Sequence, residues 1–315
     1  MAKTALLEIL RSETAPPPSP ALQALTDAAR ARHGDSVEAV LFYGSCLRDG
    51  IDDSKMADLY LLVRDYRSAL GNPLAALGNR LLPPNVYYLE CRHEGLTLKA
   101  KYAVLTLDVF GKGTSAAWFH PYLWARFAQP TAIAYCAGEK TRDRILAGLA
   151  GAVETLLGEA APLMDAAFRG EDLWVEAFQR TYRSELRAEG PERARVIFQA
   201  DAARYLAVTG SLFAAEEADT DGEGQTRWFS QPQPSRAARR RAALRWLLRR
   251  PWGKLLSVLR LIKAAFTFQG GAGYLKWKIE RHAGVEVELT PWQARHPILA
   301  APLLLWRLYR QGAIR

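Results

Sequence analysis

Cysteine is scarce in this 315-residue chain: Cys46, Cys91 and Cys136 are odd in number, far apart and without a CxxC pair. That argues against a disulfide framework or a thiolate metal site and favours a reducing compartment. Long apolar runs are missing as well. The best, PILAAPLLLW at 297–306, is about half the roughly 20 residues that span a bilayer and holds two prolines. The first twenty residues carry only a short apolar patch broken by Glu8 and Arg11, which does not fit a secretory signal. Histidine is sparse, and His33, His93, His120, His282 and His296 show no HExxH or HxH spacing, which argues against zinc. Acid is missing where base is densest. From 236 to 263 there are Arg236, Arg239, Arg240, Arg241, Arg245, Arg249, Arg250, Lys254, Arg260 and Lys263 and no carboxylate, which outweighs the whole net charge of +9. Such a stripe calls for a polyanion: anionic lipid, nucleic acid or an acidic partner.

What is present is globular. Hydrophobic residues make up 49% and charged residues 24%, enough for a sizeable core, and the length suits about two domains. The expected organisation is a short N-terminal helix and proline-rich connector over 1–20, then a mixed α/β domain over 21–136. A helical domain over 139–215, an acidic and polar linker over 216–235 and a basic amphipathic region over 236–315 follow. VEAVLFYG (37–44), ADLYLLV (57–63) and LTLKAKYAVL (96–105) read as strands, and 21–33 as a helix. After Gly138 the apolar spacing is helical throughout. The fold class is therefore α+β: a mixed sheet with helices, an all-helical region, then a basic C-terminal region.

The sharpest local motif is YGSCLRDG (43–50) at a strand end, with MADLYLLV (56–63) as the next strand. A Gly-Ser turn lets backbone N–H groups and a hydroxyl approach phosphate oxygens, and an acid on the following strand can hold a divalent cation against them. Strand residues i and i+2 share a face, yet the position two after Asp58 is Tyr60, so one carboxylate of a metal-binding pair is missing there. Cys46, directly after the turn, is a nucleophile only if a histidine partners it.

KYAVLTLDVFGKGTSAAWFHPYLWARFAQP (101–130) resembles the "KYGV…W…LYxAGRLxKP" stretch of the mitochondrial-type phosphatidate cytidylyltransferases, which are peripheral CDP-diacylglycerol synthases of the nucleotidyltransferase superfamily. The order of features is similar too: YGS, a single strand Asp, NVYY (85–88), KY (101–102), the Arg126–Pro130 element and a helical Y-x-G-D-x-R stretch. In that family also, the residue two after the strand Asp is not acidic. The resemblance spans about 37–310. It departs from the family at Ala125, Gln129, Ser184 and Glu185, and in having no acid in FGKGTSA.

The resemblance implies a nucleotidyltransferase-type sheet domain and CMP transfer from CTP to phosphatidate, with Mg²⁺ as cofactor. Gly44 and Ser45 would form the triphosphate turn and Asp58 would be the metal ligand. Lys101, Arg126, Tyr182 and Arg187 would meet the nucleotide, and Glu185 would supply the carboxylate missing at Tyr60. Glu90 and Asp108 stand next in line for that role. CTP, phosphatidate and an anionic membrane surface reached through 236–315 are the expected partners. The expected location is cytoplasmic, peripheral on the inner face of the membrane. Two other readings remain open: a nucleotidyltransferase with a different acceptor, and a catalytically silent protein of this fold that binds nucleic acid through the basic stripe.

Overall fold

The computed structural model describes residues 2–15, 19–186, 190, 192–216, 227–267, 290 and 292–293. In chain order the helices are α1 (Ala2–Glu13), α2 (Pro20–Ala31), α3 (Ser45–Asp49), α4 (Tyr66–Leu70), α5 (Pro73–Leu81), α6 (Leu107–Gly113), α7 (Trp124–Phe127), α8 (Glu139–Ala160), α9 (Gly170–Arg183), α10 (Glu192–Ala200), α11 (Ala202–Leu212) and α12 (Arg236–Thr267). The strands are β1 (Val37–Tyr43), β2 (Met56–Val63), β3 (Asn85–His93), β4 (Leu96–Thr106), β5 (Thr131–Cys136), β6 (Ala167–Arg169), β7 (Ala214–Ala215) and β8 (Trp228–Ser230). The protein is α+β, with a mixed five-stranded sheet, helices, and a helical C-terminal region.

The chain divides into two compact units that interleave. One takes 1–15, 107–131 and 138–258; the other takes 16–106, 132–137 and 259–315. This differs from the sequential division expected from composition. The segment 107–131 leaves the sheet for the helical unit, and the chain returns for β5, whose alternation is too short to stand out. The region expected to be wholly helical also holds β6 and β7, and the expected linker holds β8. These three strands pair as a small antiparallel sheet in the order β6-β8-β7.

In the sheet unit the strand order is β3-β4-β2-β1-β5, with β2 and β4 parallel and the pairs β1/β2 and β3/β4 antiparallel. Val40, Leu61 and Val104 are fully buried along the middle strands. Ser19 caps α2 by accepting from the Leu22 N–H at 3.2 Å, and Leu22, Leu25 and Ala29 turn one face of that helix inward. Behind α2, His33 bonds the Ala69 carbonyl through Nδ1 at 2.7 Å and the Tyr102 hydroxyl through Nε2 at 3.1 Å. Burial, helped by the Arg32 guanidinium, pushes the His33 imidazole below its usual range, although the bond to the Ala69 carbonyl opposes the shift.

That arrangement fixes a pH response. The unfolded chain takes up a proton at His33 near pH 6.5, whereas the folded chain resists it to lower pH. The His33 contribution is intact above that pH and is lost as pH falls below it. Denaturant melts from pH 7.5 to 5 should show His33→Gln losing less stability with acid than the native chain. Parallel curves for the two would remove this role.

In the helical unit α8 lies mostly buried. It is long and apolar enough to cross a bilayer by composition, but here it forms the core. Arg204 on α11 makes a two-pronged ion pair with Glu13, 2.9 Å on each arm, and donates to the Ala128 carbonyl at 2.6 Å. α12 turns Ala242, Trp246, Arg249 and Gly253 inward. Trp246 Nε1 donates to the Glu159 carbonyl at 2.9 Å, and the Glu159 carboxylate meets Arg245 at 2.6 Å and Arg249 at 2.8 Å. Arg249 is 1% exposed. The rings of Phe119, Trp124 and Trp246 lie 4.8 to 5.4 Å from its guanidinium carbon, so it is both paired and packed.

Candidate active site

β1 ends at Tyr43 and the chain turns at Gly44, whose φ of +89° lies in the region that favours glycine. A Cβ on Gly44 would also stand 3.3 Å from Oδ2 of Asp58. The turn backbone and the carboxylate are therefore close neighbours, with little room for a side chain at position 44. Ser45 follows, exposed, as the first residue of α3.

The register carries the site across the sheet. Tyr43 pairs with Asp58, Asp58 with Lys101, and Lys101 with Tyr88. Directly paired residues share a face, so the four form one row over β1, β2, β4 and β3. The ends of the row are aromatic and buried. Its middle is polar: Lys101 Nζ lies 3.0 Å from Asp58 Oδ1, with side chains 37% and 28% exposed. The ion pair lies beside the Gly44 turn, whose Cβ position is 3.3 Å from the other carboxylate oxygen.

Why the strand lacks a second carboxylate is now visible. Tyr60 is 0% exposed and its ring centroid is 5.3 Å from that of Tyr43. An acid there would be a charge buried beside the Tyr43 ring, which is costly. Glu90 lies on the same face but pairs in register with Lys99, two strands from β2. At about 4.8 Å per strand its backbone lies roughly 10 Å to the side of Asp58, and its carboxylate is engaged by the Tyr88 hydroxyl. Among the described residues no group of three or more His, Cys, Asp or Glu is placed to hold a metal. Asp58 still suits Mg²⁺, which often takes one carboxylate and completes its shell with water and substrate phosphate oxygens.

No protein-family model and no curated protein matches this chain. The remaining site residues are placed by geometry alone. Gly44, Asp58 and Lys101 come together in the sheet unit, and Ser45 follows Gly44 in the chain, exposed. Arg126, Tyr182 and Glu185 belong to the helical unit, and Arg187 lies outside the described residues. Arg126, on α7, has its guanidinium 5.2 Å from the Tyr122 ring. Tyr182 is in the last turn of α9, and Glu185, just beyond, donates its N–H to the Tyr182 carbonyl at 3.1 Å. Asp108 is taken up by Arg144 at 2.5 Å. The Cys46 thiol is buried and donates to the Met56 carbonyl at 3.4 Å; burial, reinforced by the Asp58 charge, pushes it up, the reverse of what a nucleophile needs.

Two placements have no counterpart in the sequence analysis. Tyr88 was part of the NVYY motif, but only strand register sets it opposite Lys101. Gly253 had no sequence signal at all: a Cβ there would stand 2.0 Å from the Ser184 carbonyl oxygen, one residue before Glu185.

Gly44→Ala follows as a test of the turn. The φ of +89° with ψ of −166°, a conformation essentially reserved for glycine, and the 3.3 Å approach to Asp58 oppose it together, with a strain of about 1–3 kcal/mol. If this turn meets a nucleotide, the expected result is a loss of affinity for CTP of about tenfold, read by isothermal titration. Unchanged affinity would show that this turn does not meet the nucleotide.

Proposed function

We propose that the protein transfers CMP from CTP to phosphatidate at a membrane surface, giving CDP-diacylglycerol and pyrophosphate, as a peripheral phosphatidate cytidylyltransferase. One observation carries the reading: a side-chain-free turn at Gly44, a carboxylate at Asp58 and an ammonium at Lys101 meet at the accessible part of one sheet row. A triphosphate needs these three things together: backbone that can come close, a cation, and an acid to hold a metal. Mg²⁺, when bound at Asp58, supplies charge neutralisation to the triphosphate. Lys101 gives a second positive charge on the same row. The phosphate oxygen of phosphatidate attacks the α-phosphorus of CTP, that bond forms as the link to pyrophosphate breaks, and pyrophosphate leaves. A phosphate monoester with a second pKa near 6 is already a dianion at about pH 7, so no strong general base is required. Arg126, Tyr182, Glu185 and Arg187 are assigned to nucleotide and metal by the motif resemblance.

The lipid substrate agrees with α12. Arg239, Arg245 and Arg249 are tied to acceptors in the helical unit, whereas Arg236, Arg240, Arg241 and Lys254 are exposed. Leu244, Leu247, Leu248, Trp252, Leu255 and Val258 are exposed on the same helix. At about 1 kcal/mol for each basic residue near an anionic surface, four such charges with an apolar face suit an interfacial helix.

The test is incubation with Mg²⁺, α-labelled CTP and phosphatidate in mixed micelles. Label that enters the lipid phase only with phosphatidate supports the proposal. Label from a different nucleotide or onto a different acceptor would favour another nucleotidyltransferase. A second reading, the silent nucleic-acid-binding protein, is favoured by the core tyrosine at position 60. No transfer from CTP, ATP, GTP or UTP, with salt-sensitive nucleic-acid binding, would establish it. Glu185→Gln should reduce kcat about a hundredfold if Glu185 is the second carboxylate. Retained turnover would move that role elsewhere, since Glu90 and Asp108 are already engaged by Tyr88 and Arg144.

A further inference from the structure

In the sheet unit, α5 turns leucine outward. Leu74, Leu77 and Leu81 are 78%, 53% and 75% exposed, at a spacing that sets them along one side of the helix. Fraying at the helix start does not account for this. Asn72 caps α5 by accepting from the Leu74 and Ala75 N–H groups at 2.9 and 3.2 Å, with Pro73 at the first position. Its inner side is anchored too, because buried Asn79 donates to the Val104 carbonyl at 3.0 Å.

The C-terminal part of α12 lies alongside. A Cβ on Gly78 would be 3.9 Å from Lys263 Cδ. Lys263 Nζ donates to the Leu82 and Pro84 carbonyls, and Arg260 Nε donates to the Pro83 carbonyl at 3.0 Å. Leu259 and Ile262, flanking these tied residues on α12, are exposed as well. Charge selects the occupant. From 66 to 89, between Asp65 and Glu90, the chain carries exposed Arg67 and Arg80 and no acid. In 259–267, which also lacks acid, Arg260 and Lys263 are held by the Leu82–Pro84 carbonyls, and burial pushes Lys263 down to about 7. Exposed leucines beside the exposed cations Arg67 and Arg80, with no carboxylate among them, complement a bilayer with anionic headgroups.

We propose that Leu74, Leu77 and Leu81 of α5, with Leu259 and Ile262 of α12, form a surface that inserts into an anionic phospholipid bilayer. This deepens the lipid-substrate reading and rests on it. It adds a second element, within the sheet unit, to the membrane seat expected of 236–315.

The experiment is flotation of the full-length protein with vesicles of phosphatidylcholine, alone and mixed with phosphatidylglycerol. The native chain should float with the mixed vesicles. The triple variant Leu74→Ser, Leu77→Ser, Leu81→Ser should lose about tenfold or more in vesicle affinity, and Arg80→Glu less. Should the triple variant melt early, Leu74→Ser alone, at the most exposed of the three positions, should show a smaller loss in the same direction. Native-like flotation by these variants overturns the proposal. So does a change in sedimentation from dimer to monomer with vesicle binding intact, which would make the surface a contact between copies. The micelle assay separates the two readings. Lipid label with α5-independent flotation sinks this surface alone, and α5-dependent flotation without lipid label sinks the cytidylyltransferase reading alone.

Discussion

Asp58→Asn is expected to reduce CMP transfer by at least about a hundredfold while leaving the fold intact. The two side chains have the same shape, so the strand and the Gly44 turn are not disturbed sterically. What disappears is the negative charge beside Lys101 and the capacity to hold a divalent cation. The ion pair is 28% and 37% exposed, and solvent screening leaves such a pair a contribution of about 0–1 kcal/mol. At about 2–4 °C per kcal/mol for domains of this size, the thermal midpoint should move by no more than about 4 °C. Micelle-assay rates and thermal melts on one preparation check both halves. Near-native turnover would remove Asp58 from the chemistry, and a collapse of the midpoint would recast it as structural.

Gly253→Ala has the opposite signature: a stability loss arising at a position far in sequence from any motif. The added carbon would stand 2.0 Å from the Ser184 carbonyl oxygen and 2.8 Å from His120 Nε2. The first neighbour is backbone, so rotating a side chain cannot relieve the clash. A cost of about 3 kcal/mol or more is expected, which lowers the midpoint by roughly 6–12 °C. Gly158, exposed on α8 with nothing within 4 Å of a Cβ, supplies the contrast. Gly158→Ala should stabilise by about 0.4–1 kcal/mol. Calorimetry on the two alanine variants tests the pair. Equal effects would mean that the approach of α12 to Ser184 is not what position 253 decides.

The strands that carry the candidate site were legible because alternation and motif coincide in them. β1 and β2 read as apolar runs flanking YGS, and β4 alternates, so Asp58 and Lys101 could be chosen before their 3.0 Å contact was known. Register was not legible, and register is what puts Tyr88 in the row with Lys101. The short strands β5 to β8 hold six residues or fewer, too few for a period to emerge. The interleaving of the units was hidden for a related reason, since composition changes little where 107–131 departs and β5 returns.

α12 shows the limit of periodicity most clearly. Its leucines repeat as a buried face should, yet Leu244, Leu247 and Leu248 are outside, and Arg249 and Trp246 are inside. An arginine can occupy that side because Glu159 and three aromatic rings receive it. Nothing within 236–263 itself announces those partners.

The far end of that helix bears on how the membrane question can be asked. Arg260 and Lys263 supply donors to three successive carbonyls, Leu82, Pro83 and Pro84, just before β3 begins. A chain cut at residue 235 would lose those donors, and Glu159 would lose both of its arginines. Failure of such a shortened protein to reach a vesicle would then report damage to the scaffold as much as a missing anchor. Substitution on the outward leucines leaves these ties in place, and so separates adhesion from architecture where deletion cannot.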